Sequence, residues 1–342
     1  MISNPERNPV TKMKISSKLI RLIKQSSSFV ITGHVNPDGD SVGSCLGLAL
    51  GLKKIGKKNV TVLMKDHLPE TLLFLPSAKS VKHSLPKKEC DLLFVLDCNM
   101  PDRTGFEFIS AKNTVVLDHH VLPASTAGSE FHRSLAECII DTGSAATGMI
   151  VYNLLKALKI DIDKNIAANL YAAIIVDTGG FRYSNSSPEA LKIASHLVEA
   201  GARPWSIAKE IYENKPYRSM KLLGLSLATL ERENGMAWIS TTDSMFKKTG
   251  AEPGNCEDFV DFPRKVKGVE VAVFFRYNGS NSYKISLRSK GDINVQKIAK
   301  SFGGGGHAPA AGCRIKGSLK EVQDKVLTAI RKEIKKSGKA GK

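Results

Sequence analysis

The sequence predicts an α/β protein: a parallel sheet with helices on both faces, joined by a helical segment to a smaller second α/β domain. Three observations predict it. Short strand-like runs alternate with stretches of helical spacing along the first 200 residues. Those runs are continuously apolar, as strands buried on both faces are, and do not alternate apolar with polar. The chain has 342 residues, enough for two domains that each bury a core.

After a polar start over residues 1 to about 13, residues 16–25 read as a helix. Residues 28–33 are β-rich and lead into the loop Asn36-Pro37-Asp38-Gly39-Asp40. An apolar helix follows over 41–55, ended by Gly56. Further strands are expected at 59–64, 91–96 and 114–117, with helices at 144–158, 165–176 and 187–199. Residues 204–233 read as helical. The second region opens with a strand near 236–240. It continues with strands at 270–276 and 283–288 around the turn Asn278-Gly279-Ser280-Asn281. A helix at 295–301, a glycine run and a last helix at 318–335 complete it. The expected division is a first domain over 14–200, a helical linker over 201–233 and a second domain over 234–336.

Composition narrows the class. Hydrophobic residues make up 42% and charged residues 24%, which excludes wholesale disorder and collagen-like chains. The apolar runs are too short to cross a bilayer and no secretory leader pattern opens the chain, so a cytoplasmic protein is expected, with no membrane partner. Six cysteines are scattered without a C-x-x-C pair, which argues for small buried thiols and against a disulfide framework or a structural zinc site. The net charge is +17. Residues 1–30 carry six Lys/Arg against Glu6, and residues 331–342 carry six against Glu333, so +10 sits at the two ends. Such a surplus suits anionic partners, although basic tails also serve solubility alone.

Four places concentrate acids and histidines: His34 with Asp38 and Asp40, directly after a strand; Asp97, after Leu92-Leu93-Phe94-Val95-Leu96; Asp118-His119-His120, after Val115-Val116-Leu117; and Asp177, at the end of Ala172-Ala173-Ile174-Ile175-Val176. In an open parallel sheet the carboxyl ends of strands share one edge, where such folds bind ligands. Singly, each place has an ordinary reading as a turn, a helix cap or a loop-facing acid. Jointly they point to a metal centre. Carboxylates and imidazoles without thiolates suit manganese, magnesium, iron or zinc. The aspartates 38, 40, 97 and 177 balance two divalent ions if the histidines stay neutral. Two ions about 3.5–4 Å apart can hold the attacking and leaving oxygens of a phosphoryl displacement.

These residues resemble the DHH phosphoesterase superfamily, whose name is the tripeptide Asp118-His119-His120. Its other motifs are His34-Val35-Asn36-Pro37-Asp38-Gly39-Asp40-Ser41, Asp97 with Arg103-Thr104-Gly105, and Asp177-Thr178-Gly179-Gly180-Phe181-Arg182-Tyr183. Phe302-Gly303-Gly304-Gly305-Gly306-His307, followed by Ala310-Ala311-Gly312, looks like the companion DHHA1 domain. The likeness spans residues 15–330 with the motifs in order, and it is greatest to the branch of bifunctional oligoribonucleases and pAp phosphatases.

The resemblance implies a DHH catalytic domain, a DHHA1 substrate-binding domain and two Mn2+ ions, with Mg2+ as the other candidate. It implies His34 and Asp38 on one ion, Asp40, His119 and Asp177 on the other, and Asp97 between them. His120 would face the scissile phosphate, and Asp118 would orient the histidines. It implies that Gly304, Gly305, Gly306 and His307 grip a terminal phosphate or base, as glycine-rich amide nests do. Arg276 and Arg288 would add bidentate phosphate contacts, with Ser289 beside them and Arg103 and Arg182 contributing from the first domain. The expected substrates are short RNA oligonucleotides and adenosine 3′,5′-bisphosphate (pAp), and a homodimer is compatible with the family. Two other readings remain open: a phosphodiesterase of cyclic or linear dinucleotides, and a nucleotide- or RNA-binding module without catalysis. Aromatics at 6% give no long stacking platform, which favours few subsites over a long single strand.

Overall fold

The computed structural model describes residues 15–122, 128–256, 258–291 and 293–336. The polar start and the last six residues of the basic end lie outside them. The chain divides between Asn214 and Lys215 into two units.

Unit 1 carries a five-stranded sheet: β1 (Ser28–Thr32), β2 (Asn59–Leu63), β3 (Cys90–Leu96), β4 (Ala111–Asp118) and β5 (Glu137–Ile140), in the order β2-β1-β3-β4-β5. Every neighbouring pair is parallel. The chain runs outward from β1 to β2, then crosses back to β3, so the strand order reverses between β1 and β3. A crevice opens at the carboxyl ends of the strands at such a switch point. The predicted strands are present. β5 was not foreseen: it is a four-residue edge strand, only partly buried, with Glu137 and Cys138 in place of a clear apolar run.

The helices of unit 1 are α1 (Ser17–Gln25), α2 (Gly39–Lys54), α3 (Glu130–Ser134), α4 (Thr147–Ala157), α5 (Lys164–Asp177), α6 (Pro188–Glu199) and α7 (Pro204–Ala208), with one π-helical turn at Lys209–Glu213. Alternate strand residues serve opposite faces. Phe29, Ile31, Phe94, Leu96, Val115 and Leu117 pack into the core formed with α2, α4 and α5. Val30, Leu93, Val95 and Val116 face the other way, onto Cys98, Phe106, Ile109 and the Phe131 ring of α3. The long helices therefore lie on one face, and a loop with one short helix covers the other.

Side-chain caps start most of the longer helices. Ser16, Asp38, Asp163 and Ser187 accept amide hydrogens at the starts of α1, α2, α5 and α6. In unit 1, α4 is the exception among these, because Ala146 occupies its N-cap and offers no acceptor.

The sequence of α2 places glycines at 39, 43, 47 and 51, one helical turn apart and so on one face. A Cβ at Gly39 would lie 2.5 Å from Val176 Cγ2 and one at Gly47 2.6 Å from Leu170 Cδ2. One at Gly43 would meet the backbone oxygen of Asn169, and one at Gly51 the side chain of Leu155. This bare ridge lets α2 and α5 approach backbone to backbone, which brings the two ends that carry Asp40 and Asp177 together.

Unit 2 begins with α8 (Tyr217–Leu227) and carries a six-stranded mixed sheet. Its strands are β6 (Glu231–Glu233), β7 (Met236–Ser240), β8 (Val271–Tyr277), β9 (Ser282–Ser289), β10 (Gly305–His307) and β11 (Ala310–Lys316), in the order β10-β11-β9-β8-β7-β6. Only β7 and β8 pair in parallel among the described strands. One face packs on α11 (Val295–Lys300) and α12 (Leu319–Lys336). The other packs on α8, α9 (Asp243–Thr249) and α10 (Asp261–Arg264). The stretch 204–233, expected as helix, is broken at Pro216 and ends in β6. β6 pairs with β7 through Asn234-Gly235, both at positive φ (42° and 78°), which is the two-residue hairpin that Asn-Gly favours.

The glycine ridge makes a paired prediction. Alanine is worth about 1 kcal/mol over glycine in a helix interior. Gly224→Ala in α8, where a Cβ meets nothing within 4 Å, should gain up to that amount. Gly43→Ala should lose stability despite the same propensity gain, because its Cβ runs into backbone. Calorimetry of the two variants checks this, and a stabilised Gly43→Ala protein would contradict the packing described.

Candidate metal centre

β1, β3 and β4 are neighbours in the sheet, so the loops leaving their carboxyl ends meet. They bring together His34, Asp38, Asp40, Asp97, Asp118, His119 and His120, and α5 delivers Asp177 as its last residue. The donor atoms of His34, Asp38 and Asp97 lie within 4.8 Å of one another, and so do those of Asp40, His119 and Asp177. A third group, Asp97, Asp118, His119 and His120, satisfies the same limit. All six sequence-predicted ligands and both predicted partners, Asp118 and His120, thus lie in one cluster.

Local hydrogen bonds orient each group. His34 donates from Nδ1 to the Val35 carbonyl at 2.9 Å, which turns Nε2 toward the acids. Nε2 points to Asp97 Oδ2 at 3.2 Å and Asp38 Oδ1 at 3.8 Å. Asp38 caps α2, accepting from the amides of Asp40 and Ser41 at 3.0 Å each. Asp40 is fully buried. It accepts from the Thr147 and Gly148 amides at 2.7 and 2.9 Å and from the Ser44 hydroxyl at 2.9 Å. Asp40 therefore caps α4 from a different helix, replacing the acceptor that Ala146 lacks. Asp97 is buried with φ at 59°, a left-handed backbone that non-glycine residues adopt at a cost of order 1–3 kcal/mol. Its amide donates to Leu117 at 3.1 Å, and its Oδ1 accepts from the Thr147 hydroxyl at 3.2 Å.

His119 Nε2 is the diagnostic atom. It stands 3.1 Å from Asp177 Oδ2, 3.6 Å from Asp97 Oδ1 and 3.7 Å from Asp40 Oδ2. It is buried among these oxygens, with Asp177 the nearest. Ligands about 2.0–2.2 Å from a shared ion stand roughly 3 Å apart. A nitrogen ringed by three carboxylate oxygens at such distances fits a divalent ion. His120 is different: its Nδ1 lies 2.7 Å from Asp118 Oδ1, so that nitrogen is already engaged.

The electrostatics agree. Burial pushes the carboxyl of Asp97 well up, and the nearby charges of Asp40, Asp38 and Asp177 push the same way. Burial also raises Asp40, against the pull of His119 and of the α4 amides. It pushes Asp177 up to about 6. Burial alone would keep His119 neutral, but the surrounding carboxylates outweigh it and push the imidazole up to about 10. Burial of Asp40, Asp97 and Asp177 so close together favours their protonated forms unless a cation neutralises them. Asp118 goes the other way, because its bond to His120 outweighs burial.

The remaining predicted residues fall in three places. The Arg103 carbonyl accepts from the Val35 amide at 2.7 Å and so braces the His34 loop. Arg182 follows Asp177 in an exposed turn, and its Nε donates to the Gly179 carbonyl. The others are in unit 2. β10 turns much of the glycine run into an edge strand, with Gly305 opposite Gly312 and Gly306 opposite Ala311. A Cβ at Gly304 would meet the Gly312 oxygen. The register aligns Arg288, Ala310 and His307 in one row across β9, β11 and β10. Ser289 is buried next in line, with no hydrogen-bond partner for Oγ. Arg276 lies toward the far end of β8, opposite Lys284, and donates to the Pro253 carbonyl at 2.7 Å. The side chain of His307 lies outside the described part of the structure.

Sequence reasoning missed Thr147, Gly148 and Ser44. Their signal was weak: a helix starting near 144 suggests Ser144 as its cap and leaves Thr147 unremarked.

Sheet topology and donor set together define an open α/β protein with a candidate site for divalent ions at its switch point. The chain belongs to the DHH family of phosphoesterases: residues 28–174 match the N-terminal domain of that family and residues 238–336 match the DHHA1 domain. It is 32% identical over 339 residues to a bifunctional oligoribonuclease and PAP phosphatase NrnA of Thermus thermophilus, covering 98% of both chains. A protein of the same name from Bacillus subtilis is 26% identical over 308 residues, covering 88% of this chain and 93% of that one. The crystal structure of an exopolyphosphatase-related protein from Bacteroides fragilis superposes with a TM-score of 0.81 at 26% identity, covering 93% of this chain and 94% of that one. Among the described residues, no helix is long and apolar enough to cross a membrane.

The crowding of acids predicts opposite effects with and without metal. Burial forces the Asp97 carboxyl to take up a proton when no cation is present, a cost that Asp97→Asn removes, so the chelated variant should melt higher than the chelated parent at neutral pH. Mn2+ at 100 times its dissociation constant should stabilise the parent by about 2.7 kcal/mol and the variant far less. Calorimetry with and without chelator checks both signs. A parent protein indifferent to Mn2+ and Mg2+ would remove the metal centre.

Proposed function

We propose that this chain is a manganese-dependent phosphoesterase that cleaves short oligoribonucleotides to mononucleotides and removes the 3′-phosphate from pAp. The observation that carries this reading is the pair of donor groups on either side of Asp97, one containing it and the other touching it through His119. The names of relatives matched over nearly the full chain supply the substrates.

His34 and Asp38 would hold one ion, Asp40, His119 and Asp177 the second, and Asp97 would serve both. Its two oxygens already face different partners, Oδ2 toward His34 and Oδ1 toward His119. When bound, the ions supply Lewis acidity to the phosphoryl oxygens and to the attacking water. The protein does the rest. Asp118 accepts from His120 Nδ1, and the doubly protonated ring would meet the phosphate through its Nε2–H and pass that proton to the leaving oxygen. The bond from the Asn99 side chain to the His120 carbonyl, at 3.3 Å, steadies the same residue. Arg103 and Arg182 are the phosphate-binding candidates of unit 1. In unit 2 they are Arg276, Arg288, Ser289, Gly304, Gly305, Gly306 and His307. Arg288 and His307 share a row of the sheet, which supports their acting together. A cytoplasmic location and a homodimer belong to the same reading.

A product time course on a 5′-labelled ribotrinucleotide and on pAp, with Mn2+, Mg2+ and chelator compared, tests it. Mononucleotides and AMP should appear with Mn2+ and not with chelator. His120→Asn should lower kcat by about 10²–10⁴ while Mn2+ binding is retained. Faster turnover of cyclic di-AMP than of either substrate would replace this assignment with the cyclic-dinucleotide one. Binding of the RNA without any product would favour a module without catalysis.

A further inference from the structure

We infer that Thr147 is the positioning residue that sets the plane of the Asp97 carboxylate and locks it to Asp40, so that the two metal subsites are built as one unit. This rests on the two-ion reading above.

A backbone can hold Asp97 in place without fixing its carboxylate, because the terminal torsion of an aspartate is broad and has no sharp staggered wells. A shared ligand needs that torsion fixed, since each oxygen must face its own subsite. Here Oδ2 faces His34 at 3.2 Å, and Oδ1 faces His119 and His120 at 3.6 Å each. Thr147 Oγ1 donates to Oδ1 at 3.2 Å. A threonine suits the task because its β-branched side chain is stiff at χ1. Thr147 is wholly buried, so water does not compete for the bond.

The same residue reaches the second subsite through its backbone. Its amide donates to Asp40 Oδ2 at 2.7 Å, and the Gly148 amide donates to Oδ1 at 2.9 Å. These are free amides at the start of α4, where the helix dipole favours a negative charge. Ala146 supplies no cap of its own, so the pairing is mutual: Asp40 completes α4, and α4 aims Asp40. One residue at a rigid helix start thus holds a carboxylate of each subsite.

The test uses full-length protein stripped of metal, with Mn2+ binding followed by calorimetric titration and by electron paramagnetic resonance of the bound ions. Thr147→Val keeps the shape and the backbone amide and removes the hydroxyl. The inference expects one of the two ions to bind at least about tenfold more weakly in that variant. It also expects weaker spin coupling between the bound ions, lower kcat at nearly unchanged KM, and a metal-free melting temperature within a few degrees of the parent. Thr147→Ser should restore both affinities to within about threefold. If the valine variant fails to fold, the serine and alanine variants decide the same question, serine binding like the parent and alanine losing one ion. The inference is overturned if valine or alanine binds both ions like the parent, or if serine is as impaired as valine. A parent that binds no Mn2+ sinks the two-ion reading itself, whereas a parent that binds two ions with an unaffected valine variant sinks only the role of Thr147.

Discussion

Four carboxylates packed into one partly dry pocket repel one another, and the architecture of unit 1 is organised around tolerating that repulsion. Asp40 and Asp97 have almost no contact with solvent. Taking such groups out of water as free anions costs several kcal/mol each. The fold meets this cost locally with amides and hydroxyls, and leaves the balance to cations. Asp38 receives two α2 amides, Asp40 receives two α4 amides and a serine hydroxyl, and Asp97 receives Thr147. Asp177 sits at the negative end of α5, where a carboxylate gains from a positive neighbour.

The helices explain why the cluster closes. Residues on the ends of β1, β3 and β4 meet because the strands are adjacent and parallel. Asp177 does not come from the sheet, and reaches the pocket only because α5 lies almost against α2. The glycines on α2 make that approach possible, and the buried start of α4 fits between Asp40 and Asp97 from the other side. The site is therefore as much a product of helix packing as of strand ends, and a change in the α2–α5 spacing would move a ligand without touching any polar residue.

Much of this was legible in the sequence because strand ends in a parallel sheet are predictable. An apolar run followed at once by Asp97, or by Asp118-His119-His120, places those groups at one edge whatever the strand order. Asp118 was expected to orient both histidines, and its Oδ1 bonds are to His120 alone among the described contacts. The trans cap was not legible. Asp38 and Asp40 both suit a helix start, and nothing in their spacing says that Asp40 caps a helix more than 100 residues away. β5 was hidden by its partly polar edge composition. The β6–β7 hairpin was missed although Asn234-Gly235 announces it, because the preceding helical spacing was extended too far.

Charge is divided between the units in a way that the total conceals. Residues 215–342 hold 25 Lys/Arg against 12 Asp/Glu, whereas residues 1–214 hold 25 against 21. Unit 1 has a near balance, and its acids are concentrated where cations fit. Its own field therefore offers an anion little attraction until metal is present. Unit 2 carries most of the surplus, and its sheet holds Arg276 and Arg288 on rigid strands rather than on loops. Long-range attraction raises encounter rates and weakens with salt, whereas a buried, close-range cluster is screened much less. The chain thus divides its charge: unit 2 carries most of the positive surplus, and unit 1 keeps its acids in one close-range cluster.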